Sequence, residues 1–198
     1  MAVSRTEAST EKAVSSSTEP LAFTSNGTVS ATNSPTNTSH VNGYVLKEGT
    51  GVFDFPVGDG TRFQKVGANL TANATGLLVK YNASDAGTGT FATTGASTTA
   101  LTSYNTQEHW DISPLSTATG AVTIYWDDYK TPTLTDVSLV KVAHKSGANW
   151  LNEGGTGTGT TSAGSVTSSN ITTWSPFALG TISTTPATTL TLGTATNP

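Results

Sequence analysis

From His40 onward, apolar residues recur at every second position in short runs, and turn-forming residues close each run. In "VFDFPV", Phe53, Phe55 and Val57 alternate with Val52, Asp54 and Pro56, the period of a strand with one buried face. "GAVTIYWDD" likewise sets Val122, Ile124 and Trp126 against Thr123, Tyr125 and Asp127. Val45 and Leu46 open a further strand, and "GLLVKYNA", "EHWDISP", "DVSLVKVAHK", "NWLNE", "GSVTSSN" and "TTWSPFALGTI" read the same way. "KEGTG" and "GDG" are turns, and no interval holds a helical period. About nine strands over residues 40–182 predict an all-β antiparallel sandwich of Greek-key or jelly-roll kind.

The flanks read differently. Residues 1–20 hold a large share of the charge and lack an apolar period, which predicts a flexible leader, with a short frayed helix over Thr6 to Val14 as the alternative. From Leu21 to Ser39, short alternating pieces (Leu21, Phe23; Val29, Ala31) are broken by Asn26-Gly27 and Ser34-Pro35, which reads as one or two strands and a linker. The expected organisation is therefore an extended leader over 1–39, a sandwich over 40–182, and a Thr-rich linker or extra strand over 183–198. "GGTGTGTT" at 154–161 is expected to be a low-complexity loop.

Composition narrows the function classes. Of 198 residues, 34% are hydrophobic, enough for a core in which alternate strand positions point inward. Charged residues are only 11%, and the net charge of −4 leaves no basic stripe for nucleic acid and no polybasic segment for anionic lipid. No run suits a membrane span, and "MAVSRTE" lacks the apolar core of a signal peptide. If the protein is exported, this chain is read as a mature piece or a fragment. The absence of cysteine rules out disulfides, thiolate catalysis and Cys-ligated zinc.

"TIYWDDYK" carries the most conspicuous polar group, Asp127 beside Asp128. The strand period turns Asp127 to solvent and leaves Asp128 where the strand gives way to a turn, "DDYKTP". Adjacent carboxylates on a strand point to opposite faces, which does not suit a glycosidase pair across a cleft. Calcium held by Asp127 or Asp128 with backbone carbonyls is the alternative to a plain strand end, although no DxDxDG spacing accompanies it. Gly58-Asp59-Gly60 is first a tight turn needing positive φ, with Asp59 a second candidate calcium ligand. Otherwise no cofactor is expected. His40, His109 and His144 have no metal-pairing spacing, and no nucleophile elbow is present. The N-x-S/T matches at Asn26, Asn37, Asn69, Asn73, Asn82 and Asn170 mark exposed loops. The Thr repeats are too short for an ice-binding face.

The run "HVNGYVLKEGTGVFDFPVGDGTRFQKV", followed by "EHWDISP", "TIYWDD", "VKVAHKSGANWLNEG" and "TTWSPFALG", resembles a β-rich domain of large Bacteroidetes cell-surface proteins. That domain commonly lies near a C-terminal sorting signal for type IX secretion, and the resemblance covers about His40 to Ile182. It implies export to the cell surface and a β-rich architecture, and brings no catalytic residues. "AFTSNGTVSATN" is similar to the edge of the Thr/Gly/Asn-rich repeats that often precede such domains, while the sorting domain itself is missing before Pro198.

Three functions are weighed on this reading. The first is a non-enzymatic structural or adhesive module whose partners are further copies or neighbouring surface domains. An extended segment bearing Leu21, Phe23 and Val29, or Thr188 to Thr194, would add as a strand to a neighbour's sheet edge. The second is a glycan-binding module stacking sugars on Trp110, Tyr125, Tyr129 or Trp150, although four tryptophans on separate strands most simply anchor a core. The third, a hydrolase, has no motif behind it.

Overall fold

A computed structural model describes residues 14–15, 20–29, 34–72, 74–93, 97–174 and 176–183. These residues form an all-β sandwich, and no α-helix occurs among them. In chain order the strands are β1 (Val14–Ser15), β2 (Leu21–Phe23), β3 (Val41–Asn42), β4 (Val45–Glu48), β5 (Gly51–Phe55), β6 (Val66–Ala72), β7 (Gly76–Asn82) and β8 (Thr90–Ala92). They continue with β9 (Ser103–Tyr104), β10 (His109–Pro114), β11 (Thr119–Trp126), β12 (Val140–Ser146), β13 (Asn149–Asn152), β14 (Thr158–Gly159), β15 (Gly164–Thr167) and β16 (Phe177–Thr181).

Nine strands make a large sheet in the order β2-β4-β7-β10-β16-β12-β13-β8, with β9 added beside β16. Five make a smaller sheet, β14-β15-β11-β6-β5, and β1 pairs β3 separately. The chain shuttles between the two larger sheets. After β4 it forms the β5/β6 hairpin in the small sheet and returns as β7, antiparallel to β4. Such alternation lets side chains from both sheets interdigitate in one core.

The alternation anticipated in β11 is what the fold uses: Val122, Ile124 and Trp126 are buried, whereas Thr123 and Tyr125 are half-exposed. Phe53, Phe55 and Val57 also point inward, leaving Val52 78% exposed. From the large sheet, Leu77, Val79, Trp110, Ile112, Val142 and Phe177 complete the core. The Trp126 indole lies over Gly164, where a Cβ would find no room.

A second layer escapes the sequence pattern. Ala143 and Ala178 face away from the core, into a smaller cluster with Leu101 and Trp150. Tyr104 stacks on Trp150 at 4.1 Å between ring centroids. Ala86, Leu101 and Tyr104 thus cover the outer face of the large sheet at its β16-β12-β13 end. This explains why Val140 to His144 are buried at every position rather than alternately.

Three expectations are corrected. Over residues 40–182 the described strands number fourteen rather than about nine, because several are pieces of two or three residues. The segment 154–161 is no mere loop: Thr158 and Gly159 pair with β15 at the sheet's edge. A boundary at residue 40 cuts through the fold, since β2 belongs to the large sheet. The possible helix at Thr6 to Val14 and the tail segment Thr188 to Thr194 lie outside the described residues, apart from Val14, which is in β1.

Candidate functional site

Two regions gather the residues that the sequence singled out. The first is the edge of the large sheet. β2 runs parallel to β4, with Leu21 beside Val45, Ala22 beside Leu46 and Phe23 beside Lys47. The Leu21 N–H donates to the Tyr44 carbonyl at 2.9 Å. The Phe23 ring lies 5.1 Å from that of Phe53, which meets Phe55 edge-on at 4.9 Å. Val29 packs against the same core. The sequence predicts Leu21, Phe23 and Val29 as a strand for a neighbour; here they are seated on their own chain.

Lys47 fixes the segment from beneath. Its side chain is buried, and its Nζ donates to the Ser25 carbonyl at 2.8 Å and to the Glu48 carbonyl at 2.7 Å. The ammonium also sits 5.6 Å from the centroid of the Phe53 ring. Burial pushes the Lys47 pKa below its ordinary value, with the nearby Glu48 charge opposing. Outside β2, the described residues supply no further strand, so its outer edge is free and Leu21 is 46% exposed. Next to this region, a groove of about 470 Å³ runs along β5, lined by Thr28, Val29, Pro35, Val52, Phe53 and Phe63 among others.

The second region is the corner after β11. The turn anticipated at "DDYKTP" is present, with Lys130 in the left-handed region at φ 54°. Asp128 is exposed and Asp127 half-buried. Asp127 accepts from the Tyr129 N–H at 2.8 Å and from Gln64 Nε2 at 3.2 Å to each oxygen. The solvent-facing role expected for Asp127 is therefore corrected: it ties its turn to the segment bearing Gln64. Asp59 sits in the expected turn, with Gly60 at φ 89°, and accepts from the Thr61 N–H and hydroxyl, the Arg62 N–H and the Tyr129 hydroxyl. Burial raises the Asp59 pKa, but these donors outweigh it and hold the carboxyl at about 2.

Behind them lies Glu108, which the sequence did not single out. It is 1% exposed, and accepts from the Tyr81 hydroxyl at 2.8 Å and from Asn105 Nδ2 at 3.1 Å. The same Asn105 amide donates to the Lys130 carbonyl at 2.9 Å. Burial raises the Glu108 pKa to about 7; the Tyr81 hydrogen bond opposes this and the Asp127 charge adds to it. Such a carboxyl could exchange protons near neutrality, but both its oxygens are engaged and it is walled off from solvent. Its role is to buttress the turn.

The calcium candidates Asp59 and Asp127 are thus brought into one corner through Tyr129, each holding protein donors rather than an open oxygen cage. Among the described residues, no three His, Cys, Asp or Glu side chains gather as a metal site would need. His144 pairs with Glu153 at 2.8 Å inside the fold, and His109 meets the Ser84 carbonyl at 2.7 Å.

The glycan-stacking candidates do not form a platform. Trp110 and Trp150 are fully buried, donating to the Gln64 and Gly87 carbonyls, which corrects any reading of them as sugar-binding rings. Tyr125 is half-exposed but carries the Lys65 ammonium 3.9 Å from its ring centroid, and its hydroxyl donates to Asp54. Arg62 and Lys130 flank Tyr129 at 4.9 and 5.5 Å.

No family model, curated protein or solved structure matches this chain. Among the described residues, no helix is long and apolar enough to cross a membrane.

Proposed function

We propose that this chain is a non-enzymatic structural module of an exported bacterial surface protein, and that copies join by β-strand addition through the N-terminal segment. One observation carries the reading: Leu21–Phe23 already docks as an added strand on β4, through three residues of ladder and a buried lysine. Added strands gain affinity from main-chain hydrogen bonds, so a segment with little sequence of its own suffices. The outer edge of β2, on which no described strand lies, and the exposed Leu21 offer the next strand a place to pair. The resemblance to Bacteroidetes surface domains supports the location, and the Thr-rich outer face, with Thr123 and Thr167 bonded at 2.8 Å, suits a water-facing sheet.

Negative-stain microscopy of the concentrated chain tests this. Regular filaments or lattices are expected. A field of single small particles at every concentration contradicts it.

A further inference from the structure

The docking of β2 shows more than that a strand is welcome at this edge; it specifies which strand, in which register. The segment is preceded on its N-terminal side by β1, which pairs β3 with Val14 beside Val41 and Ser15 beside Asn42. Its contacts are self-contained: three ladder positions, the Leu21 N–H on Tyr44, the Phe23 ring on Phe53, and the Lys47 ammonium on the Ser25 carbonyl. Three residues of ladder, two of them exposed, hold weakly compared with the seven-residue strands beside them. The receiving surface, in contrast, is held from its far side by contacts that do not involve β2. β4 is laddered on its other side to β7, and Phe53 is fixed by Phe55.

From these contacts we infer that the N-terminal segment is exchangeable: β1 and residues 21–29 of one copy occupy the β3 and β4 edges of a second copy, in the same parallel registers. The inference rests on the assembly reading above and names its donor, its acceptor and its lock. The occupant is a second copy of this chain because every group the segment touches is present, in the same geometry, on every copy. Exchange conserves all contacts, so it is decided by concentration. Docking on its own chain enjoys an effective concentration in the millimolar range, and docking between copies overtakes it where copies are crowded. Mutual exchange closes a dimer. One-way exchange from copy to copy generates an open chain, because the donor and acceptor surfaces differ. Among the described residues, the sheet edges at β5, β8 and β14 carry no segment of this kind.

The chain has no cysteine, which makes the test direct. Ala22→Cys and Leu46→Cys, neighbours in the β2/β4 register, are placed in separate full-length chains and mixed at the concentration that gives assemblies. Cross-linking is driven by mild oxidation and, in parallel, by a short bismaleimide that relaxes the geometry a disulfide demands. A chain carrying both substitutions checks that the pair reacts when docked. A mixture of Ala22→Cys with Leu115→Cys, exposed but unpaired with β2, measures collision alone. The expected result is a two-chain product joined between positions 22 and 46, about tenfold above the collision control, as docked proximity exceeds encounter. Assemblies without that product overturn the exchange while leaving the assembly reading in place. The absence of any assembly overturns both.

Discussion

The rings of Phe23 and Phe53 meet with centroids 5.1 Å apart, across thirty residues of chain, and this contact makes the N-terminal segment part of the sandwich. Phe23 is half-buried, so Phe23→Ala should cost about 2 kcal/mol, below the 3–5 kcal/mol of a fully buried phenylalanine. Urea unfolding measures it. A change within about 0.5 kcal/mol, as for an ordinary surface site, would mean that the segment contributes nothing to the fold.

Lys47 should govern how tightly that segment is held. In Lys47→Ala, the Ser25 carbonyl loses its charged donor, and such bonds contribute about 1.5–3 kcal/mol. Hydrogen exchange at the Leu21 amide should accelerate, while amides in the β7/β10 ladder keep their protection to within the global stability change. Equal acceleration in both places would show that Lys47 supports the core generally and not β2.

Glu108 predicts a pH dependence. Its folded pKa is raised to about 7 from an ordinary 4.5, so the folded state holds the proton more tightly than the unfolded chain. Its stabilising contribution is complete below about pH 4.5, is lost as pH rises towards 7, and stays lost above it. Over that window the loss is about 3 kcal/mol. Glu108→Gln keeps an oxygen for the Tyr81 hydroxyl and cannot ionise. The difference in unfolding free energy between variant and parent should therefore move in the variant's favour from pH 5 to pH 8. A difference that is flat with pH would mean the carboxyl is already ionised in the fold.

What the sequence disclosed, and what it hid, divides along the range of the contacts. The inward sets of β5 and β11 are visible because Phe53, Phe55, Val122, Ile124 and Trp126 alternate within one strand. The turn glycines around Asp59 are visible for the same local reason. The partner of β2 is not, because a parallel pairing between residues 21–23 and 45–47 leaves no hairpin signal between them. Nor is the second layer: the pieces that carry Ala86, Leu101 and Tyr104 are too short to alternate, and only their packing on Ala143 and Ala178 shows why β12 is buried on both faces. The Glu108 corner draws on Gln64, Tyr81, Asn105 and Asp127 from four separate segments, a convergence no spacing encodes. The sequence reads Trp150 first as a core anchor and leaves it among the glycan-stacking alternatives, because the residues that bury it give no local signal.

That layer makes its own prediction. Trp150→Ala removes a fully buried indole and the stacking of Tyr104, and should cost about 3–5 kcal/mol. Thermal unfolding should show a correspondingly large fall in Tm. A near-neutral result would place Ala86, Leu101 and Tyr104 outside the folded unit.

The central claim is that copies join through the β2 edge, and a light-scattering dilution series tests it most directly. The parent chain is compared with Leu21→Pro, which removes the N–H that bonds Tyr44. The account predicts that the parent's mass climbs above 20.2 kDa as concentration rises, while Leu21→Pro remains at the single-chain mass. Equal masses for the two chains across the series, whether both assemble or neither does, would contradict it.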